Sequence, residues 1–180
     1  DGAERVLLDP ATIDRTGLVT VSWYTPSQDG KLLAFGMYRS GDENSTLYVM
    51  DVDSGRWLAD EIGGKVNGVN RLPDGSGFFY ERLEDLKDPY SGTIRLPNLG
   101  THHRQDPVLF SQTEPGEFWS KYSTYSADEQ KQLATTYGPF AYTSRDARWM
   151  IMGFSTGTRS FDTWVVNLEK WFASGMKDFT

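Results

Sequence analysis

The stretch Pro26 to Arg56, PSQDGKLLAFGMYRSGDENSTLYVMDVDSGR, narrows the possible folds of this chain more than any other. Gln28, Asp29, Gly30 and Lys31 are a turn signal, because Asp and Gly accept the backbone angles of a tight reversal. Leu32 to Tyr38 is an apolar run of strand length, and the polar segment Ser40 to Asn44, which holds Gly41, turns the chain again. Leu47 to Val52 is another β-rich run, closed by a third turn at Asp53 to Arg56. A strand at Leu18 to Tyr24 precedes the stretch, with Val19, Val21 and Trp23 alternating against Thr20, Ser22 and Tyr24. Arg56 to Leu58 adds a short fourth strand. Successive antiparallel strands joined by tight turns make a meander, the repeating unit of a β-propeller blade.

The unit recurs. Val66 to Leu72 leads into Pro73, Asp74, Gly75 and Ser76, and Gly77 to Arg82 then mirrors the run from Leu32. Thr93 to Leu96 and Val108 to Phe110 are the later strands of this second unit, separated from it by the charged loop Leu83 to Gly92. Phe140 to Thr143, Trp149 to Phe154 and Thr163 to Leu168 form a third. The turns at Asp29, Asp74 and Asp146 stand 45 and then 72 positions apart. The first spacing suits a propeller blade of about 40 to 50 residues. The excess in the second falls in Glu114 to Tyr137. There Ser126 and Glu129 have the spacing of a capping box, which predicts a short helix stopped by Gly138 and Pro139. The predicted organisation is a leading segment and blade one over 1–62, blade two over 63–113, an insertion over 114–137, and an incomplete blade three over 138–180. The pattern alone is all-β and fits either about three propeller blades or an antiparallel sandwich.

Composition removes several functions. Basic residues number 18 against 25 acidic, a net charge of −7, with no basic run of the kind nucleic-acid binding requires. Cysteine is absent, which removes disulfides, thiolate metal sites and thiol nucleophiles together. No apolar run approaches the roughly 18 residues of a membrane span. No signal-peptide pattern is visible, and a start at Asp1 without Met suggests a processed or trimmed piece.

Motifs that carry chemistry are weak. Gly153-Phe154-Ser155-Thr156-Gly157 matches G-x-S-x-G, but a nucleophile elbow needs a helix after its strand. Here a short turn-like segment and another strand follow, and the two histidines lie upstream. Ser155 therefore reads as a strand-end residue. His102 and His103 are adjacent, would point to opposite faces in a strand, and have no Cys or third His to complete a metal site. They read as a solvated loop. Asp51 to Gly55 faintly resembles a calcium loop, yet its glycine comes one place early and Ile62 stands where a Glu is required. Those acidic residues read as a hairpin cap. No phosphate-binding glycine loop or catalytic carboxylate pair is found, so no catalytic, cofactor or metal residue is assigned.

Val6-Leu7-Leu8-Asp9-Pro10, Gly17 to Val21 and Tyr24 to Lys31 resemble the start of the propeller domain of prolyl oligopeptidases. So do Leu33 to Gly36, Arg39-Ser40-Gly41, Val49 to Gly55 and Leu58 to Glu61. Pro73 to Tyr80, Leu99-Gly100-Thr101 and Asp106 to Phe110 continue the match in the same order, which resumes more loosely from Ser144 to Leu168. The resemblance implies part of a seven-bladed propeller that gates an α/β-hydrolase catalytic domain in the same polypeptide. That family cleaves short peptides after proline. The implied partners are this domain and short proline-containing peptides, and the implied location is cytoplasmic, with a periplasmic or secreted one open. It implies no cofactor, and no triad within these residues. Three positions are implied at the shared cavity: Glu43, matching an acidic residue that faces a catalytic-domain arginine; Val66, where the family has a pocket-lining Phe; and Thr158, at the corresponding turn of blade three. Arg71 stands where a Trp is usual. A different class remains open, a propeller-type peptide- or protein-binding module without a peptidase domain.

Overall fold

Three antiparallel sheets follow one another along the chain in the computed structural model, which describes residues 3–72, 75, 77–112, 126–133, 138–157 and 160–176. The first is a four-stranded meander of β1 (Val19–Pro26), β2 (Leu32–Arg39), β3 (Thr46–Asp51) and β4 (Trp57–Ile62). The second repeats it with β5 (Val69–Arg71), β6 (Phe78–Leu83), β7 (Gly92–Arg95) and β8 (Val108–Ser111). The third has three strands, β9 (Pro139–Thr143), β10 (Trp149–Gly157) and β11 (Ser160–Asn167). In each sheet, strands adjacent in sequence are adjacent in space.

Burial explains the order. The apolar run of β2 is buried on both faces. On one face Leu33, Phe35 and Met37 pack with Val19 and Met50, under Leu8 and Ile13 of the leading segment. Ala34, on the other, joins Leu47, Val49, Ile62 and Val66 against Phe78 and Tyr80 of the second sheet. The second sheet in turn sets Phe79, Ile94 and Phe110 against Ala141, Met150, Met152 and Val166 of the third. A middle sheet covered on both faces by its neighbours is blade-on-blade stacking, which a two-sheet sandwich does not provide. Each large side chain buried there contributes about 1.5 to 3 kcal/mol.

The three predicted turns share a backbone hydrogen-bond pattern, and the first and third share side-chain bonds as well. Gly30 and Gly75 both have φ 73°, and Ala147 has φ 54°. The Ser27 hydroxyl donates to Asp29 Oδ1 at 2.6 Å and accepts from the Leu32 amide at 2.9 Å. Ser144, Asp146 and Trp149 repeat both bonds at 2.5 and 3.0 Å. The Asp51 carboxylate accepts from the Ser54 amide and hydroxyl, capping its hairpin.

Several elements add to or extend those expected from the sequence. Asp9-Pro10 starts a helix: α1 (Pro10–Ile13) has Asp9 as its N-cap, accepting from the Ala11 amide at 2.9 Å, with Pro10 at the first position. Strand β4 runs on to Ile62, because Ile62 is needed in the core between sheets. After β11, α3 (Leu168–Ala173) forms under an Asn167 cap and buries Leu168 and Trp171. Within the predicted insertion, α2 (Ala127–Leu133) carries the capping box, with the Ser126 amide donating to Glu129 at 2.8 Å. Residues 114–125 and 134–137 of that segment lie outside the described ones.

Candidate functional site

Glu43 sits at the tip of the β2–β3 connection. It is exposed and left-handed, with φ 58°, beside Ser40 at φ 55° and Gly41 at φ 73°. The turn is held by the Asn44 amide, which donates to Asp42 Oδ1 at 2.9 Å. Two residues on, the Ser45 carbonyl accepts from the Val66 amide at 2.9 Å. The Val66 carbonyl accepts from Trp23 Nε1 at 2.7 Å. Trp23 crosses over Gly36, where any Cβ would collide with the indole nitrogen and the Ser45 hydroxyl. The structure thus ties Glu43 and Val66 into one corner between the first two sheets. Val66 itself is wholly buried, so its side chain belongs to the intersheet core and offers no surface within this chain. Thr158 lies outside the described residues.

Residues flanking Val66 line a hollow of about 320 Å³ between the edge strands β5 and β9. Lys65, Asn67, Gly68, Asn70 and Glu81 meet Phe140 and Tyr142 there. Asn70 fixes its frame: Nδ2 donates to the Ala141 carbonyl at 2.8 Å, and Oδ1 accepts from the Thr143 amide at 3.4 Å. Glu81 follows the buried run Phe78 to Tyr80 and points to the same side as Phe79, toward the third sheet. A Cβ at Gly138 would stand 3.8 Å from its Oε1. Glu81 is exposed and stands at the rim of the hollow. Partial desolvation beside the third sheet raises its pKa, and no neighbouring charge offsets that. Sequence reasoning did not single out Glu81 or Asn70. The available signal was an isolated carboxylate two places after a core Phe.

A second hollow, about 410 Å³, is lined by Thr46, Glu61, Thr101, His102 and His103. The two histidines are not on opposite faces. A 3-10 turn over His103–Gln105 replaces the strand geometry, and their rings stack at 4.3 Å. Burial, then the charges of Arg82 and His102, lowers the His103 pKa. Among the described residues no group of three or more His, Cys, Asp or Glu could hold a metal. Deeper in, the Tyr80 hydroxyl donates to Asp106 Oδ2 at 2.7 Å, and burial followed by this carboxylate raises the phenol pKa. Ser155 is in β10, paired with Phe161 of β11 in an antiparallel hairpin. A strand follows it where an elbow needs a helix.

The sequence matches the family described as prolyl oligopeptidase, N-terminal beta-propeller domain, over residues 1–172. The chain belongs to this family. It is 34% identical over 134 residues to prolyl oligopeptidase A of Galerina marginata, an alignment covering 61% of this chain and 18% of that protein. A solved structure from a study of two prolyl endopeptidases superposes with a TM-score of 0.73 at 28% identity, over 92% of this chain and 23% of that one. Prolyl oligopeptidase B of Galerina marginata, solved with a 35-residue substrate, gives 0.68 at 20% identity, over 89% and 21%, a likeness of fold. The chain spans about a fifth of the length of these relatives. The described residues contain no helix long and apolar enough to cross a membrane.

Proposed function

We propose that this chain is the gating propeller portion of a prolyl oligopeptidase-like serine peptidase that cleaves short peptides on the carboxyl side of proline. The observation that carries the reading is the family match over residues 1–172. The stacked meander sheets agree with it. In this reading the chain folds as a leading segment with blade one (1–62), blade two (63–113), an insertion (114–137) and blade three (138–180). Its partner is an α/β-hydrolase domain of the same polypeptide, which supplies the nucleophile, acid and base, and its location is cytoplasmic. The propeller admits short peptides through a narrow ring and opens along a modest polar interface with that domain.

Glu43, at an exposed loop tip, is the residue we assign to face the catalytic domain. Its carboxylate steers cationic peptides and adds an ion pair of about 1 kcal/mol or less when exposed. Thr158 keeps the third cavity position.

The test is a length series on the polypeptide that carries this chain. A peptide of about ten residues with one internal Gly-Pro should be cut after proline. The same ten residues, displayed in a loop of a folded protein, should survive. Equal cleavage of both removes the gate, and no cleavage of either removes the peptidase.

A further inference from the structure

We propose that residues 96–107, which join β7 to β8, carry a proton-sensitive latch: His102 and His103 fold the 3-10 turn beside β4 while both rings are neutral, and their protonation opens it. The inference is independent of the peptidase reading.

Three observations converge. First, the turn depends on an unprotonated nitrogen. His102 is its N-cap, and Nδ1 accepts from the Arg104 amide at 3.2 Å. A neutral imidazole has one acceptor nitrogen, and an imidazolium has none. A second proton on His102 would therefore sit on Nδ1, where the Arg104 N–H already points. Second, the His103 ring stacks on that of His102 with centroids 4.3 Å apart. Two imidazolium rings at that distance repel each other. The 410 Å³ hollow that both rings line beside Glu61 and Thr101 gives them room to part. Third, the joint that ties the segment to β4 is incompletely satisfied. The Gly100 amide donates to Asp60 Oδ1 at 2.8 Å. Asp60 is 5% exposed, and among the described residues its Oδ2 has no hydrogen-bond partner. A buried carboxylate oxygen without a donor favours an opening that admits water.

The charges around the pair set the sign. Asp60 and Glu61 stand on β4, Arg82 on β6, and Arg104 and Asp106 on the segment itself. The Glu61 carbonyl and the Asp106 carboxylate favour a proton on His103. Burial, then Arg82 and His102, outweigh them and hold its pKa below the ordinary 6.5. The open turn thus takes up protons first. The closed turn is at full stability above about 6.5 and loses it as the pH falls below that value. Asp106 stays bonded to the Tyr80 hydroxyl and the Asn98 amide, so the base of the segment remains attached.

The test follows the polypeptide carrying this chain by hydrogen exchange and mass spectrometry from pH 7.5 to 4. Rates are corrected for the intrinsic pH dependence of amide exchange. Protection over residues 100–106 should fall about tenfold or more between pH 7.5 and 5.5, the factor that one unit of pKa difference provides. The β2–β3 ladder should keep its protection. His102→Asn, whose side-chain oxygen caps without titrating, combined with His103→Gln, should stay protected across that range. Constant protection in the wild type, or an equal loss in the double variant, overturns the latch. So does a loss that includes the β2–β3 ladder, since that is global unfolding. Should the double variant not form the turn, the wild-type midpoint decides. A midpoint between about 5 and 6.5 belongs to imidazole, and one near about 4 belongs to a carboxylate and overturns the proposal.

Discussion

Gly36 sits in the middle of a buried strand, where glycine is usually a cost, and its neighbours explain it. The Trp23 indole lies over its Cα and delivers Nε1 to the Val66 carbonyl. Gly36→Ala should therefore destabilise the protein by about 1 to 3 kcal/mol, as overpacking does, read as a lower urea midpoint. An unchanged midpoint would mean that Trp23 has room to move. Carboxylates give two opposite pH signatures. The Ser144 hydroxyl, then the Arg148 side chain and amide, hold Asp146 down to about 2 from an ordinary 3.8. Its stabilising contribution is present above about 3.8 and lost as pH falls through about 2. Asp146→Asn should thus be less stable than the wild type at pH 5 and converge with it by pH 2. Glu81, raised from 4.5 to about 7, behaves in reverse. Its contribution is full below 4.5 and is lost as pH rises through 7. Glu81→Gln should gain stability relative to the wild type between pH 4.5 and 8, in unfolding midpoints measured across that range. A constant gap would contradict the assigned environment.

At the scale of elements, Asn70 replaces a strand pairing between sheets that share no ladder. Asn70→Ala strips partners from the Ala141 carbonyl and the Thr143 amide, a loss of about 1 to 3 kcal/mol. The Thr143 amide should then exchange with solvent faster while amides of the β2–β3 ladder keep their protection. Uniform acceleration everywhere would point to global loosening instead. Strands and turns were legible in the sequence because their signals are local. Asp-Gly pairs mark the turns, alternation marks β1, and a continuous apolar run marks β2. Helices α1 and α3 were not. Asp9-Pro10 carries both a stop and a start signal, since the residue before proline leaves helical space and an Asp-Pro pair also caps a helix. Leu168 to Ala173 follows β11 directly and is only six residues long, so its Asn167 cap is a weak signal beside the packing of Leu168 and Trp171. The candidate site was legible as far as Glu43 on its polar turn. Val66 was placed by resemblance, and its burial under Trp23 depends on contacts 43 positions apart in the chain. Glu81 and Asn70 lie on neighbouring strands of the second sheet, and the hollow they line is closed only by the stacking of the third sheet, which no local pattern encodes.

At the scale of the molecule, the described residues form a stack of sheets in which the outer face of the third carries an exposed apolar row. Tyr142, Ile151 and Val165 align across β9, β10 and β11 and are 40–60% exposed, with Trp149 beside them at 41%. An apolar row of this kind belongs against another sheet. The isolated 180-residue chain should accordingly self-associate, and light scattering should give a mass above 20.3 kDa that falls when Val165 and Tyr142 become Lys. A sharp monomer peak for the unmodified chain would contradict this. The most direct test of the account is hydrolysis of a Gly-Pro fluorogenic peptide by the 180-residue chain and by the polypeptide that carries it, side by side. The account predicts release of the fluorophore by the polypeptide alone. Turnover by the 180-residue chain itself would contradict it and would return attention to Ser155 in its hairpin.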